Sequence, residues 1–191
     1  MKSFKHLLLA TLMLLGIGQA FAAEDDVKYQ DALATFKQAS ETHKFFNNAY
    51  GYALFPTIGK GGIGIGAAYG KGRVYRQGAY VGDSSMTQVS IGFQLGGQAY
   101  SEIIFFKDEK AFRDFTSGSF EFSGQASAVA INVGANAQAG TTGNSAGAGQ
   151  AGGAQNATAA YINGMTVFTA AKGGLMFEAA LAGQSFTFEG K

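Results

Sequence analysis

Residues 56–76 read PTIGKGGIGIGAAYGKGRVYR, with seven glycines, four basic side chains and no acid. No other segment limits the fold so strongly. Glycine at this density opposes a helix, at about 1 kcal/mol per residue relative to alanine. Gly62, Gly64 and Gly66 alternate with Ile63 and Ile65, so the period is two and one face of a strand is bare. A bare face lets another backbone or a ligand approach closely. Sheet, not helix, has to organise this part of the chain.

The same period persists downstream. Val89, Ile91, Phe93 and Leu95 alternate with Ser90, Gly92, Gln94 and Gly96, the pattern of a half-buried strand. SEIIFF at 101–106 reads as a buried strand. FEF, AVAINV, MTVF, GLMFEAAL and SFTFE read as further strands, divided by Gly, Ser or Asn. Two segments have helical spacing. In 25–49, Val27, Ala32, Leu33, Phe36 and Ala39 recur every three or four residues, and Asp25 and Asp26 suit the positive end of the helix dipole. DEKAFRDFTSG at 108–118 carries an N-cap aspartate, apolar Ala111, Phe112 and Phe115, and a closing Gly118. The expected class is α+β: N-terminal amphipathic helices packed on a glycine-rich, mainly antiparallel β-sheet or barrel-like sheet.

The first 22 residues read as a cleaved export signal. Lys2, Lys5 and His6 precede the apolar run Leu7–Ile17, and Ala20-Phe21-Ala22 supplies a small-residue cleavage site. The run is shorter than the roughly 20 residues that a spanning helix needs. Residues 23–191 are then one domain, of a size to hold a real core. Within it, 134–160 has no charge, no aromatic and no aliphatic larger than alanine, which predicts a long flexible low-complexity loop. The chain has no cysteine, which excludes disulfides, thiolate metal sites, cysteine nucleophiles and a lipidated cysteine. The expected location is periplasmic or secreted, peripheral on the cell envelope. With Lys2 and Lys5 set aside, the 14 basic residues fall just below the 13 acidic ones. That balance argues against nucleic acid as a partner.

Enzyme motifs fail on spacing and context. Gly59-Lys60-Gly61-Gly62-Ile63-Gly64 has the form GxGxxG, but the glycines run on into a strand pattern and do not open a helix. GAAYGKG is one residue short of a phosphate loop, and Gly72 stands where a hydroxyl should bind metal. The mature chain keeps only His43, too little for a histidine metal site. The sequence assigns no catalytic residue, no metal and no cofactor. Its distinctive feature is a charge run: from Thr42 to Gly82 lie Lys44, Lys60, Lys71, Arg73 and Arg76, with no acid, among Tyr50, Tyr52, Phe55, Tyr69, Tyr75 and Tyr80. Cations interleaved with amphipathic aromatics suit an anionic membrane surface, and they equally suit strand residues that face water.

GYALFPTIGKGGIGIGAAYGKGRVY resembles the SYLF (Ysc84-type) lipid-binding domain family. The likeness continues through SIGFQLGGQAYSEIIFF, AFRDFTSGSFEFSGQASAVA and GGLMFEAALAGQSFTFE, and so spans the chain from about Asp31. The 134–160 loop departs from the pattern. The resemblance implies a non-catalytic module for phosphoinositide and other anionic lipids. Actin-associated roles belong to fungal and animal members, and an exported protein would not meet actin. The positions that match the basic glycine-rich segment are Lys60, Gly61, Gly62, Lys71, Gly72 and Arg73. Lys60, Lys71 and Arg73 are the expected headgroup contacts, with Arg76 in support. Two other readings stand beside this one: a small outer-membrane β-barrel, and an envelope structural or assembly protein.

Overall fold

The computed structural model describes residues 24–63, 65–91, 98–122, 130–133, 159–172, 181 and 183–191. The strands are β1 (Gly51–Ile63), β2 (Ile65–Arg76), β3 (Ala79–Ile91), β4 (Gln98–Phe106), β5 (Ser119–Glu121), β6 (Ala130–Asn132), β7 (Met165–Lys172) and β8 (Gln184–Gly190). They form one sheet in the order β5-β8-β3-β2-β1-β4-β7-β6. Neighbours run antiparallel except β6 and β7, which are parallel. Helix α1 covers 24–38. A 3-10 turn (Ser40–Thr42), α2 (His43–Asn48) and α3 (Glu109–Phe115) complete the elements.

Among the described residues the sheet is open, with β5 and β6 at its edges, and this corrects the barrel-like alternative. Both edge strands are only three residues long, too short to close a barrel against each other. The sheet is nonetheless strongly curled. Strands β8 and β4 are separated by β3, β2 and β1, which on a flat sheet would put them about 19 Å apart. Yet Gln184 Nε2 on β8 donates to Glu102 Oε2 on β4 across 3.1 Å. Glycine makes this curl possible on the inner face. A Cβ on Gly72 would lie 2.5 Å from the Phe55 ring, and one on Gly70 would lie 2.6 Å from Ile58. The space beside Gly70 and Gly72 is therefore filled by the protein's own core.

Two apolar layers result. The inner, concave face carries Phe55, Ile58, Val74, Met86, Tyr100, Ile104, Phe106 and Phe186, closed in part by Phe112 and Phe115 of α3. Asp108 caps α3 by accepting from the Ala111 N–H at 3.0 Å, as its position before the helix predicts. The outer face carries Leu54, Ile103, Phe105 and Phe168, covered by Ala32 and Phe36 of α1 and Phe45 of α2.

Two expectations shift. The helical stretch expected over 25–49 breaks at Ala39. There the Thr42 hydroxyl donates to the carbonyls of Phe36 and Ala39 and so satisfies the end of α1. The break turns Phe45 back onto the sheet, where it packs on Phe105 and Phe168. The phase of β3 is also inverted. Val89 is 71 % exposed, whereas Met86 is fully buried opposite Phe186 of β8. Once Met86 points inward, the period of two carries Ser84 and Gln88 in with it and leaves Val89 outside. The export signal, residues 92–97, most of the 134–160 loop and most of GLMFEAAL lie outside the described residues.

Candidate functional site

The outer face of β2 is built by simple alternation. Gly70, Gly72 and Val74 point into the concave core, so Tyr69, Lys71, Arg73 and Tyr75 project outward. Tyr69 is 51 % exposed and Lys71 is exposed beside it. Tyr75 stacks on Tyr52 with ring centroids 4.8 Å apart, and Tyr80 lies 6.0 Å further along. Burial pushes the Tyr52 phenol up to about 12, so it stays neutral at any physiological pH. With residues of α1, β3 and β8, this strand lines a solvent-open groove of about 460 Å³. Asp25, Tyr29, Tyr69, Lys71, Arg73, Asp83, Thr187 and Glu189 are among its walls.

Arg73 is engaged within the chain. Its guanidinium donates to Asp26 Oδ1 of α1 at 2.7 Å and lies 4.2 Å from the centre of the Tyr29 ring. Partial burial opposes its charge, but the hydrogen bonds to Asp26 and Tyr75 outweigh this and hold it more firmly protonated than usual. The Tyr29 phenol is pushed up to about 12, chiefly by burial beneath the same contact. The sequence marked Asp26 only as a helix-dipole partner. Its ion pair with Arg73 joins residues 47 apart and needs the fold.

The structure separates the four expected headgroup residues. Lys71 and Arg73 share the outer face of β2. Lys60 lies on β1 in phase with Ile58 and pairs with Ala68, both inner-face residues. Arg76 sits 6.0 Å from the ring of Phe112 of α3, again on the inner side. The interleaved aromatics divide too. Phe55 is fully buried and Tyr50 packs on Phe112, which leaves Tyr69 and Tyr80 as the exposed members of that group.

In exchange the sheet brings up Lys172, which the sequence reading passed over. It lies on β7 in phase with Phe168 and Ala170 of the outer face. Its Nζ donates to Thr57 Oγ1 at 2.7 Å, and Thr57 is the register partner of Lys71. Lys71, Thr57 and Lys172 thus form a polar row across the outer face. The available signal was Lys172 itself, the residue that ends the uncharged run from Phe122 to Ala171.

A second polar group lies inside. Glu102 is fully buried on β4, with Gln184 reaching both Glu102 and the Tyr100 hydroxyl. Glu102 Oε1 and Gln184 Oε1 have no hydrogen-bond partner among the described residues. Burial raises the Glu102 carboxyl to about 8, and the Gln184 bond offsets this only in part. No cluster of three or more His, Cys, Asp or Glu gathers in metal-binding geometry among the described residues.

The sheet is curled, with helices on both faces and charged side chains turned outward around an open groove. Residues 87–190 match the family model of Ysc84, described as a Las17-binding protein actin regulator. The chain belongs to this family, the SYLF (Ysc84) domains. Comparison with curated proteins gives no match.

Proposed function

We propose that this chain is an exported, periplasmic lipid-binding module that docks peripherally on anionic lipid of the cell envelope. The observation that carries the reading is the placement of Lys71 and Arg73 side by side on the outer face of β2, next to exposed Tyr69. Lys172 extends the same face through its bond to Thr57. Membership of the SYLF family supports lipid as the ligand class and a non-catalytic role. The open sheet supports a peripheral binder over the small outer-membrane barrel, because a barrel must close its edges. The family description names an actin regulator; an exported chain would act on the envelope and not on actin.

Flotation of the mature protein with vesicles of phosphatidylglycerol, against vesicles of phosphatidylcholine alone, tests the reading. Each cation near an acidic surface contributes about 1 kcal/mol, so removing Lys71 and Arg73 together weakens binding by about thirtyfold. Lys60→Ala with Arg76→Ala, on the other face, changes it much less. Equal binding to neutral vesicles, or equal losses from both pairs, refutes the reading.

A further inference from the structure

We infer that the first turn of α1 is an internal competitor for the anion site, resting on Arg73 until an anionic headgroup displaces it. This inference rests on the proposed function and concerns regulation of the same groove.

Charge supplies the first argument. The groove walls include Lys71 and Arg73 as cations but Asp25, Asp83 and Glu189 as acids, and Asp26 sits directly on Arg73. With α1 in place, carboxylates outnumber cations where an anion is to bind. Asp25 and Asp26 belong to α1, so moving its first turn away removes both and leaves the remaining acids balanced by Lys71 and Arg73. Geometry supplies the second argument. The Asp26 carboxylate at 2.7 Å occupies the guanidinium as a phosphate oxygen would, and the Tyr29 ring covers its face.

Anchoring supplies the third. Helix α1 is held by Ala32 and Phe36, buried against the outer-face core, while Glu24, Asp25 and Asp26 of its first turn are exposed. The acidic turn can therefore lift or unwind while Phe36 stays seated, without unfolding the domain. Ends of helices open at the low-energy end of the scale of local motions. A surface ion pair of this kind is weak enough for a multivalent anionic surface to replace.

Measuring vesicle binding in a double-mutant cycle of Asp26→Asn and Arg73→Gln tests the inference. Asp26→Asn raises affinity for phosphatidylglycerol vesicles by about two- to fivefold, the range of an exposed ion pair. That gain disappears when Arg73→Gln is already present. Asp31→Asn makes the same charge change further along the helix, without the Arg73 contact, and serves as the control; it gives a smaller gain that Arg73→Gln does not remove. The inference fails if Asp26→Asn binds no better than Asp31→Asn, or if its gain persists without Arg73. Wild-type protein that binds phosphatidylglycerol while failing this cycle overturns the competitor and keeps the lipid reading. Wild-type and Asp26→Asn proteins that both ignore phosphatidylglycerol overturn the two together. Binding that appears only in Asp26→Asn supports both.

Discussion

Glu102 illustrates how one side chain couples the curl of the sheet to pH. Its folded-state pKa is about 8, raised by burial from an ordinary value of 4.5. Between these values the folded protein holds a proton that the unfolded chain has released, so stability is fully present below about pH 4.5 and falls as pH rises toward 8. The slope is up to about 1.4 kcal/mol per pH unit. Glu102→Gln removes this slope and gives Gln184 Oε1 a possible donor. Urea denaturation at pH 5 and pH 8 should show a smaller stability difference in the variant than in the wild type; equal differences would falsify the assignment. Gly72 makes a second prediction at this scale. An added Cβ would meet the Phe55 ring at 2.5 Å and the Leu54 carbonyl at 2.9 Å. Gly72→Ala therefore costs about 1–3 kcal/mol by overpacking, read as a lower midpoint in thermal melting. Gly59→Ala, with nothing within 4 Å of its added Cβ, serves as the tolerant control.

Among the elements, the helices show most clearly how short-range and long-range forces divide. Helix α3 is specified locally: Asp108 caps it, and Lys110 with Asp114 and Arg113 with Glu109 pair across one turn. Asp108→Ala leaves the Ala111 N–H without its cap and costs about 1 kcal/mol, measurable by denaturation. Helix α2 depends instead on what it meets. Phe45 packs against Phe105, Tyr161 and Phe168, all far from it in sequence. Phe45→Ala costs about 3–5 kcal/mol. The loss should also loosen α1, seen as faster amide hydrogen exchange over 24–38, because both helices cover the same outer-face cluster.

At the scale of the molecule, the two faces have different work. The concave face is closed on itself by phenylalanines of β1, β8 and α3, whereas the outer face keeps Lys71, Tyr69 and the groove open beside α1. A membrane can meet that outer face without unfolding the core. On the proposed function, binding to phosphatidylglycerol vesicles is predominantly electrostatic and falls steeply between about 0.05 and 0.5 M salt, as screening shortens the reach of the cations. Cosedimentation across that range measures it, and salt-independent binding would point to insertion of apolar side chains instead.

Much of this was legible in the sequence, and the division follows from the range of the forces involved. The period of two, the cap at Asp108, the buried SEIIFF strand and the family resemblance are all local or linear signals, and each reappears in the structure or in the family match. The glycines of β2 announced a strand, yet only the fold shows why Gly70 and Gly72 are bare: Ile58 and Phe55 occupy the space. The phase of β3 depended on Phe186, almost a hundred residues away, and so Val89 was misread. Long-range register also divides the basic run. Sequence proximity grouped Lys60, Lys71, Arg73 and Arg76, but strand alternation and a bulge sent them to opposite faces, while β7 delivered Lys172 to the outer one. The chain alone determined its composition of strands and its family. Which cations share a surface, and which of them α1 already holds, was decided by register and curl, because these depend on contacts between residues that the sequence keeps far apart.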